Sequence, residues 1–302
     1  VQTCALPILK LNARLILAEA VSMLLNLVLT PVYFVVYVIK VTLRYLDNSQ
    51  PVKAKHVLIT GSTSGLGEAL AHSYVKTCST LILVGRSKEK LESVKSDCKK
   101  LNSRCNVKTV VGDMNKPEEY KHIMEVCARD ELVDLVIAAA GIIQSTAGNG
   151  EDLMAYGTEV MDVNVKGVMN TIFPFIPKMR SAGFGQICVI VGALGNGTFG
   201  RDPLYEASKN CVRVMLEGMM SSLRSQGIQL TIVSPGFLKT RMTEGKQTFL
   251  ALEPSFMAER IHEGVSQKES FIGDPYLVYL LTALVRAIPA PVFEVVSGWL
   301  GK

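Results

Sequence analysis

The 302-residue chain has no Cys-x2-Cys pair, and its seven cysteines (Cys4, Cys78, Cys98, Cys105, Cys127, Cys188, Cys211) are odd in number. A disulfide framework and a cysteine-based zinc site are both excluded as organising principles, and a reducing compartment is the simpler setting. Histidine is scarce as well. His56, His72, His122 and His262 lie far apart with no ligand spacing, so no metal is expected. The formal net charge is +5, yet the basic residues are scattered among acidic ones instead of gathering with aromatics into a stripe. Nucleic acid is therefore excluded as a partner, while an anionic cofactor and a membrane surface both suit mild basicity. The chain shows no internal repeat and no low-complexity segment.

Apolar residues are what the sequence has in abundance: 48% of the chain, with a mean hydropathy of +0.28. They concentrate at the N-terminus, where residues 20–39 run without a charge and only Glu19 interrupts the extension back to Leu15. Such a length spans a bilayer. A secretory signal would have a shorter apolar region and a small-residue cleavage site. Here Lys40 and Arg44 close the run instead, so a membrane anchor is expected over residues 1–46. An uncleaved signal stays open, as does a hairpin in one leaflet, which Pro31 favours by breaking the backbone ladder. Lys40, Arg44, Lys53 and Lys55 outweigh Lys10 and Arg14, placing the main domain on the cytosolic side, at the endoplasmic reticulum if the cell is eukaryotic.

After a polar linker at 47–53, apolar strands alternate with amphipathic stretches. Strands are expected at 56–60, 80–84, 107–111, 135–138, 186–191 and 229–233, with a last edge strand at 271–273. Helices are expected at 67–76, 87–101, 205–224 and 254–264. Continuous apolar strands with helices between them predict an α/β fold, a doubly wound parallel sheet of Rossmann type over residues 54–270.

The first strand runs straight into Thr60-Gly61-Ser62-Thr63-Ser64-Gly65-Leu66-Gly67, followed by a helix. A chain that leaves a strand tightly and brings its backbone to a pyrophosphate needs residues without side chains. The helix N-terminus then presents free amides to the phosphates. Gly61, Ser62, Ser64, Gly65, Leu66 and Gly67 are thus the expected phosphate cradle. The second strand ends in Gly85-Arg86-Ser87, where an NAD-binding domain carries an acid for the ribose hydroxyl. An arginine there suits a 2′-phosphate, so NADP(H) is the expected cofactor, with Arg86 and Ser87 at the phosphate. Asp113, after the third strand, is placed to accept from the adenine amino group or to cap a helix.

Tyr205 and Lys209, four residues apart on one expected helix, would share a face. An ammonium beside a phenol stabilises the phenolate and makes the tyrosine a usable acid or base.

With these residues the chain resembles the short-chain dehydrogenase/reductase superfamily over roughly residues 54–270, and within it the lipid-ketone reductases. The resemblance rests on the Thr-Gly-x3-Gly-x-Gly turn at 60–67, Asp113, Asn164 in Asp162-Val163-Asn164-Val165, the Tyr205/Lys209 pair, and Ser234-Pro235-Gly236 with Thr240. It implies hydride transfer between nicotinamide and a carbonyl or alcohol carbon. Tyr205 would be the acid/base, and Lys209 would hold the ribose hydroxyls and lower the tyrosine pKa. Asn164 would support a water relay, and Pro235, Gly236 and Thr240 would border the nicotinamide.

Two departures stand out. The serine that in this family precedes the tyrosine by about thirteen residues is replaced by Gly192, and no serine occurs between Ser181 and Ser208. Loss of such a donor typically costs about 10²–10³ in rate; Asn196 and Thr198 are the candidate substitutes, or else ordinary loop residues. Ala138-Ala139-Ala140-Gly141 stands where the family has one or two asparagines, so Ala139 is expected to face the cofactor without the usual brace. Two readings follow: an NADP(H)-dependent oxidoreductase, or a catalytically impaired NADP-binding scaffold at a membrane. The segment 271–302 is apolar but broken by Arg286, Pro289, Pro291 and Glu294. It reads as short helices at a membrane interface or over the site, or as a homodimer contact or core helix. Both apolar ends favour an apolar, lipid-like substrate.

Overall fold

In a computed structural model of the protein, the described residues are 35, 38, 52–131, 133–143, 152–192, 202–240 and 251–275. The chain divides into one compact unit of residues 1–50 and 283–302 and another of residues 51–282, and the second holds the sheet. The expected anchor and the segment 276–302 lie outside the described residues, apart from Val35 and Val38, which are exposed. Among the described residues, no helix is long and apolar enough to cross a membrane.

Seven strands form one sheet: β1 His56–Thr60, β2 Thr80–Gly85, β3 Asn106–Val111, β4 Leu135–Ala138, β5 Gly185–Ile190, β6 Ile228–Pro235 and β7 Phe271–Asp274. Their order is β3-β2-β1-β4-β5-β6-β7, and every pairing is parallel. The expected strands are all present within a residue or two, and the last one takes the edge. The helices are α1 Gly65–Tyr74, α2 Lys88–Leu101, α3 Pro117–Asp130, α4 Leu153–Met161, α5 Gly167–Ile172, α6 Ile176–Ala182, α7 Pro203–Ser225 and α8 Pro254–Ser266.

The central strands carry continuous apolar runs because both faces are covered. In β1, Val57 and Ile59 enter a core shared with Leu70 of α1, Leu91 of α2 and Ile261 of α8. Leu58 between them enters the opposite core, with Met124 of α3, Ile172 of α5 and Leu216 of α7. Successive side chains on a strand alternate faces, so one apolar run supplies two cores. Truncating Leu58, which is wholly buried, to alanine would cost about 2–5 kcal/mol.

Strand order reverses direction between β1 and β4. In a doubly wound sheet the loops leaving neighbouring strands diverge there and open a crevice at the carboxyl ends. The glycine turn, the loop after β4 and the start of α7 all meet at this edge.

Candidate active site

The glycine turn is shaped by close backbone approach. A Cβ at Gly67 would stand 2.1 Å from the Gly61 carbonyl oxygen, and one at Gly61 would stand 2.8 Å from the Ala140 Cα. Gly61 also has φ +66°, a backbone conformation that side chains disfavour. One glycine therefore lets α1 start directly on the turn, and the other lets the turn pass the loop after β4. A Cβ at Gly65 would lie 3.1 Å from the Thr240 methyl, so the segment after β6 closes on the same turn. Ser64 precedes α1 in extended conformation, and its side chain makes no cap bond.

Two expected cradle side chains are committed elsewhere. The Ser62 hydroxyl is buried and donates to the Val84 carbonyl at 3.2 Å, tying the turn to β2. Leu66 packs into the core around α1. Only the backbone of these two residues remains to face a phosphate. Arg86 is exposed just past β2, and Gly85 lies so close to the turn that a Cβ there would meet the Thr63 methyl at 2.7 Å. Ser87 is the N-cap of α2, accepting from Lys90 N at 3.3 Å and donating to Glu89 at 2.8 Å. Asp113 accepts from Asn115 N at 3.1 Å. That bond braces the loop ahead of α3 and not the helix itself, whose N-cap is Lys116.

The loop after β4 has a brace that sequence reading missed. Thr60 Oγ1 accepts from Ala139 N at 3.2 Å and Ala140 N at 3.3 Å, so the end of β1 holds Ala139 in place without a side-chain amide from that loop. Further along, Asn164 sits in a π-turn, Asp162–Lys166, between α4 and α5. The extra residue in such a turn re-aims a side chain. Asn164 is fully buried. It accepts from Ile142 N at 2.8 Å and donates to Ile142 O at 3.0 Å and to Ser208 Oγ at 3.1 Å. Both amide hydrogens are thus used within the protein, and the residue clamps the loop to α7.

Helix α7 carries the reactive pair. Its N-cap is Asp202, which accepts from Tyr205 N at 3.0 Å, and Pro203 occupies the first turn, where a missing N–H costs nothing. Tyr205 and Lys209 fall on one face as expected, with Lys209 Nζ 5.7 Å from the centre of the Tyr205 ring. The lysine is buried and approaches the Ile190 carbonyl at 3.5 Å. Across from them, a Cβ at Gly192 would lie 3.7 Å from the Tyr205 hydroxyl, and Gly192 has φ +90°. Gly192 therefore lies beside the phenol. Its backbone sits where a serine would be strained, with its carbonyl accepting from Ser234 Oγ at 3.1 Å. Asn196 and Thr198 lie outside the described residues.

Electrostatics correct one expectation. Burial pushes the Tyr205 phenol up to about 12, and the Asp202 carboxylate adds to the rise. Burial also pushes Lys209 down to about 8. The tyrosine is thus not held low by its lysine. Both groups are desolvated, which penalises phenolate and ammonium alike, and an anion stands closer in effect than the cation. Pro235 ends β6 opposite Asp274, and Gly236 N donates to Asp274 O at 2.7 Å. Gly236 and Thr240 follow on toward the glycine turn. Among the described residues no group of side chains is arranged to hold a metal.

Residues 55–250 match the family described as short chain dehydrogenase, which is more than half of the chain. The chain belongs to the short chain dehydrogenase family. Membership makes it an oxidoreductase of a family that binds nicotinamide cofactors. It is 28% identical over 289 residues to 11-beta-hydroxysteroid dehydrogenase-like 3 of Arabidopsis thaliana, covering 90% of this chain and 93% of that one. An uncharacterised oxidoreductase of Staphylococcus aureus is 27% identical over 216 residues, covering 70% of this chain and 91% of that one.

Solved structures share the fold. A short-chain dehydrogenase from Sphingobium yanoikuyae in complex with NADPH has a TM-score of 0.68 at 21% identity, covering 73% of this chain and 88% of that one. L-sorbose reductase from Gluconobacter frateurii, complexed with NADPH and L-sorbose, has a TM-score of 0.66 at 17% identity, covering 74% and 96%. The residues of the site fit a dinucleotide: the glycine turn carries backbone without side chains at 61, 65 and 67 straight into the N-terminus of α1.

Proposed function

We propose that the protein is an NADP(H)-dependent oxidoreductase that interconverts a carbonyl and an alcohol on an apolar, lipid-like substrate, working at a membrane. The observation that carries the chemistry is the Tyr205 hydroxyl lying beside Gly192, with Lys209 one turn along α7. A bound reduced nicotinamide supplies the hydride. Tyr205, protonated at neutral pH, donates its proton to the substrate oxygen. Lys209 holds the ribose side of the cofactor, Asn164 keeps the loop under it in register, and Pro235, Gly236 and Thr240 border the ring. The backbone of residues 61–67 carries the pyrophosphate.

The phosphate form of the cofactor is supported by exposed Arg86 next to the turn, and by the NADPH bound in the two neighbours of the same fold. The apolar substrate is supported by the Arabidopsis relative, whose name places it near hydroxysteroid chemistry, and by the uncharged run at 20–39. That run is also the basis for a membrane anchor with the catalytic domain in the cytosol. A homodimer fits the exposed Leu153, Met154 and Met161 of α4 and Val214 of α7.

Gly192 favours a second reading, an NADP-binding scaffold or sensor with little turnover. The deciding experiment is turnover of the detergent-solubilised protein with NADPH against a panel of hydrophobic ketones. Oxidation of NADPH that Tyr205→Phe abolishes supports the enzyme. Tight NADPH binding with no turnover on any ketone supports the scaffold.

A further inference from the structure

An ion-paired group at the β7 edge of the sheet is tied by the backbone to a wall of the crevice. Arg260 of α8 places its two terminal nitrogens on Glu269, Nη1 on Oε1 at 2.6 Å and Nη2 on Oε2 at 2.9 Å. Its Nε faces Oδ2 of Asp274, the last residue of β7, at 3.3 Å. The Glu269 side chain is 6% exposed, and those of Arg260 and Asp274 are 27% and 26% exposed. Helix α8 makes room for the pair: a Cβ at Gly264 would stand 2.7 Å from Glu269 Oε1 and 2.8 Å from Arg260 Nη1. Exposed ion pairs are ordinarily worth little. This one is seated in a slot of the helix backbone, and one planar guanidinium serves two carboxylates, which a lysine cannot do.

Asp274 pairs with Pro235 in the register of β6 and β7, and its carbonyl accepts from Gly236 N at 2.7 Å. The carbonyl and the carboxylate belong to one residue, so Arg260 fixes the oxygen that holds Gly236. Just before that glycine, Ser234 Oγ donates to the Gly192 carbonyl at 3.1 Å, and Gly192 lies beside the Tyr205 hydroxyl. Just after it, Thr240 closes on the glycine turn at Gly65. Residues 234–240 therefore run from beside the phenol to the phosphate cradle.

We infer that Asp274, held by the Arg260–Glu269 pair, is a positioning residue that fixes the Pro235-Gly236 wall at the nicotinamide end of the cofactor site. It acts through the main chain of Gly236. The inference rests on the proposed dinucleotide site and does not depend on which substrate is reduced. Without the ion pair, Asp274 keeps its bond to Gly236 but is no longer tied to α8, and the wall gains freedom. The glycine turn and Arg86, which would seat the adenosine half, stand apart from that change. Such loosening reaches the reaction as well, since a misplacement of about 1 Å can cost about 10² in rate.

The test compares NADPH with adenosine 2′,5′-bisphosphate, which carries the adenosine and the 2′-phosphate but no nicotinamide. Binding of each to the full detergent-solubilised chain is measured by calorimetry. Asp274→Ala should weaken NADPH by about tenfold and leave the bisphosphate unchanged. The kcat of ketone reduction should fall by about 10–10²-fold with little change in the KM for the ketone. A general loosening of the fold would weaken both ligands, and that outcome overturns the proposal, as does an unmoved NADPH affinity in a folded variant. Asp274→Asn, which keeps the shape and removes the charge, serves if the alanine variant does not fold. Failure of both to fold assigns the residue to the scaffold and overturns the proposal too. Arg260→Lys keeps a cation for Glu269 but cannot serve both acids. It should show the same selective loss, and Asp274→Ala in that background should add little; fully additive losses overturn the route through Arg260. A selective loss of NADPH in a chain that reduces no ketone upholds the inference and sinks the oxidoreductase reading instead. A wild-type chain that binds no NADPH sinks both.

Discussion

The two halves of the crevice are built on opposite physical terms. At the β1 end, the cofactor half is made of backbone brought close by missing side chains: Gly61 against Ala140, Gly67 against Gly61, Gly65 against Thr240. At the α7 end, the chemical half is made of buried polar side chains: Asn164, Ser208, Lys209, Asp202 and Tyr156. Error in the first half is steric and steep. In the second it is electrostatic and graded.

That contrast breaks most visibly if a glycine can be filled without harm. Gly67→Ala should lower stability by about 3 kcal/mol or more, because its Cβ would overlap the Gly61 carbonyl at 2.1 Å. Thermal denaturation measures this, and a variant melting like the wild type would show that the turn is not built by contact. Tyr205→Phe should instead leave stability and NADPH binding intact while lowering ketone reduction by about 10²–10⁴-fold, read by fluorescence titration beside steady-state rates. Gly192→Ser lies between the halves. Its φ of +90° predicts a stability loss of about 1–3 kcal/mol and no gain in turnover. A serine variant that is faster and equally stable would mean that the site is merely missing a hydroxyl.

Two smaller effects sharpen the comparison. Arg86→Ala should weaken NADPH by about tenfold and NADH hardly at all, since an exposed charge-assisted bond is all that is lost; equal weakening would remove the case for the 2′-phosphate. The α7 half should also carry a pH signature. Lys209 is pushed down to about 8 from the ordinary lysine value of 10.5, so between these limits the unfolded chain binds the extra proton and stability rises with pH. Tyr205 acts in reverse. Its rise from 10.0 to about 12 means the folded chain keeps a proton the unfolded chain has lost, and stability falls with pH over that window. Denaturant melts of the wild type against Lys209→Met across the first window check the lysine, and parallel curves would show that its ammonium is not desolvated.

Legibility in the sequence divides along similar lines. The strands and the longer helices could be read because each carries its pattern within a few residues: the apolar run His56–Thr60, the glycines at 61, 65 and 67, the three- and four-residue spacing of apolar positions. The spacing of the turn spoke for its backbone, and what the Ser62 and Leu66 side chains do was not legible in it. One hydroxyl is bonded to Val84 across 22 residues, and the leucine belongs to the core. The Asp202-Pro203 pair signals a helix start, yet nothing near it announces that Tyr156, 46 residues earlier, will close over the carboxylate.

The sequence alone determined the alternation of strand and helix, the backbone cradle and the shared face of Tyr205 and Lys209, because each depends on spacing along a short stretch of chain. Only the tertiary structure decided the rest. The Thr60 brace spans 79 residues, the Asn164 bond to Ser208 spans 44, and the burial that sets the charge of Tyr205 exists only once β5, α4 and α7 have come together. Hydrogen bonding and desolvation depend on which atoms meet across the sheet edge, and that is settled by strand order and packing, over separations where local pattern carries no information.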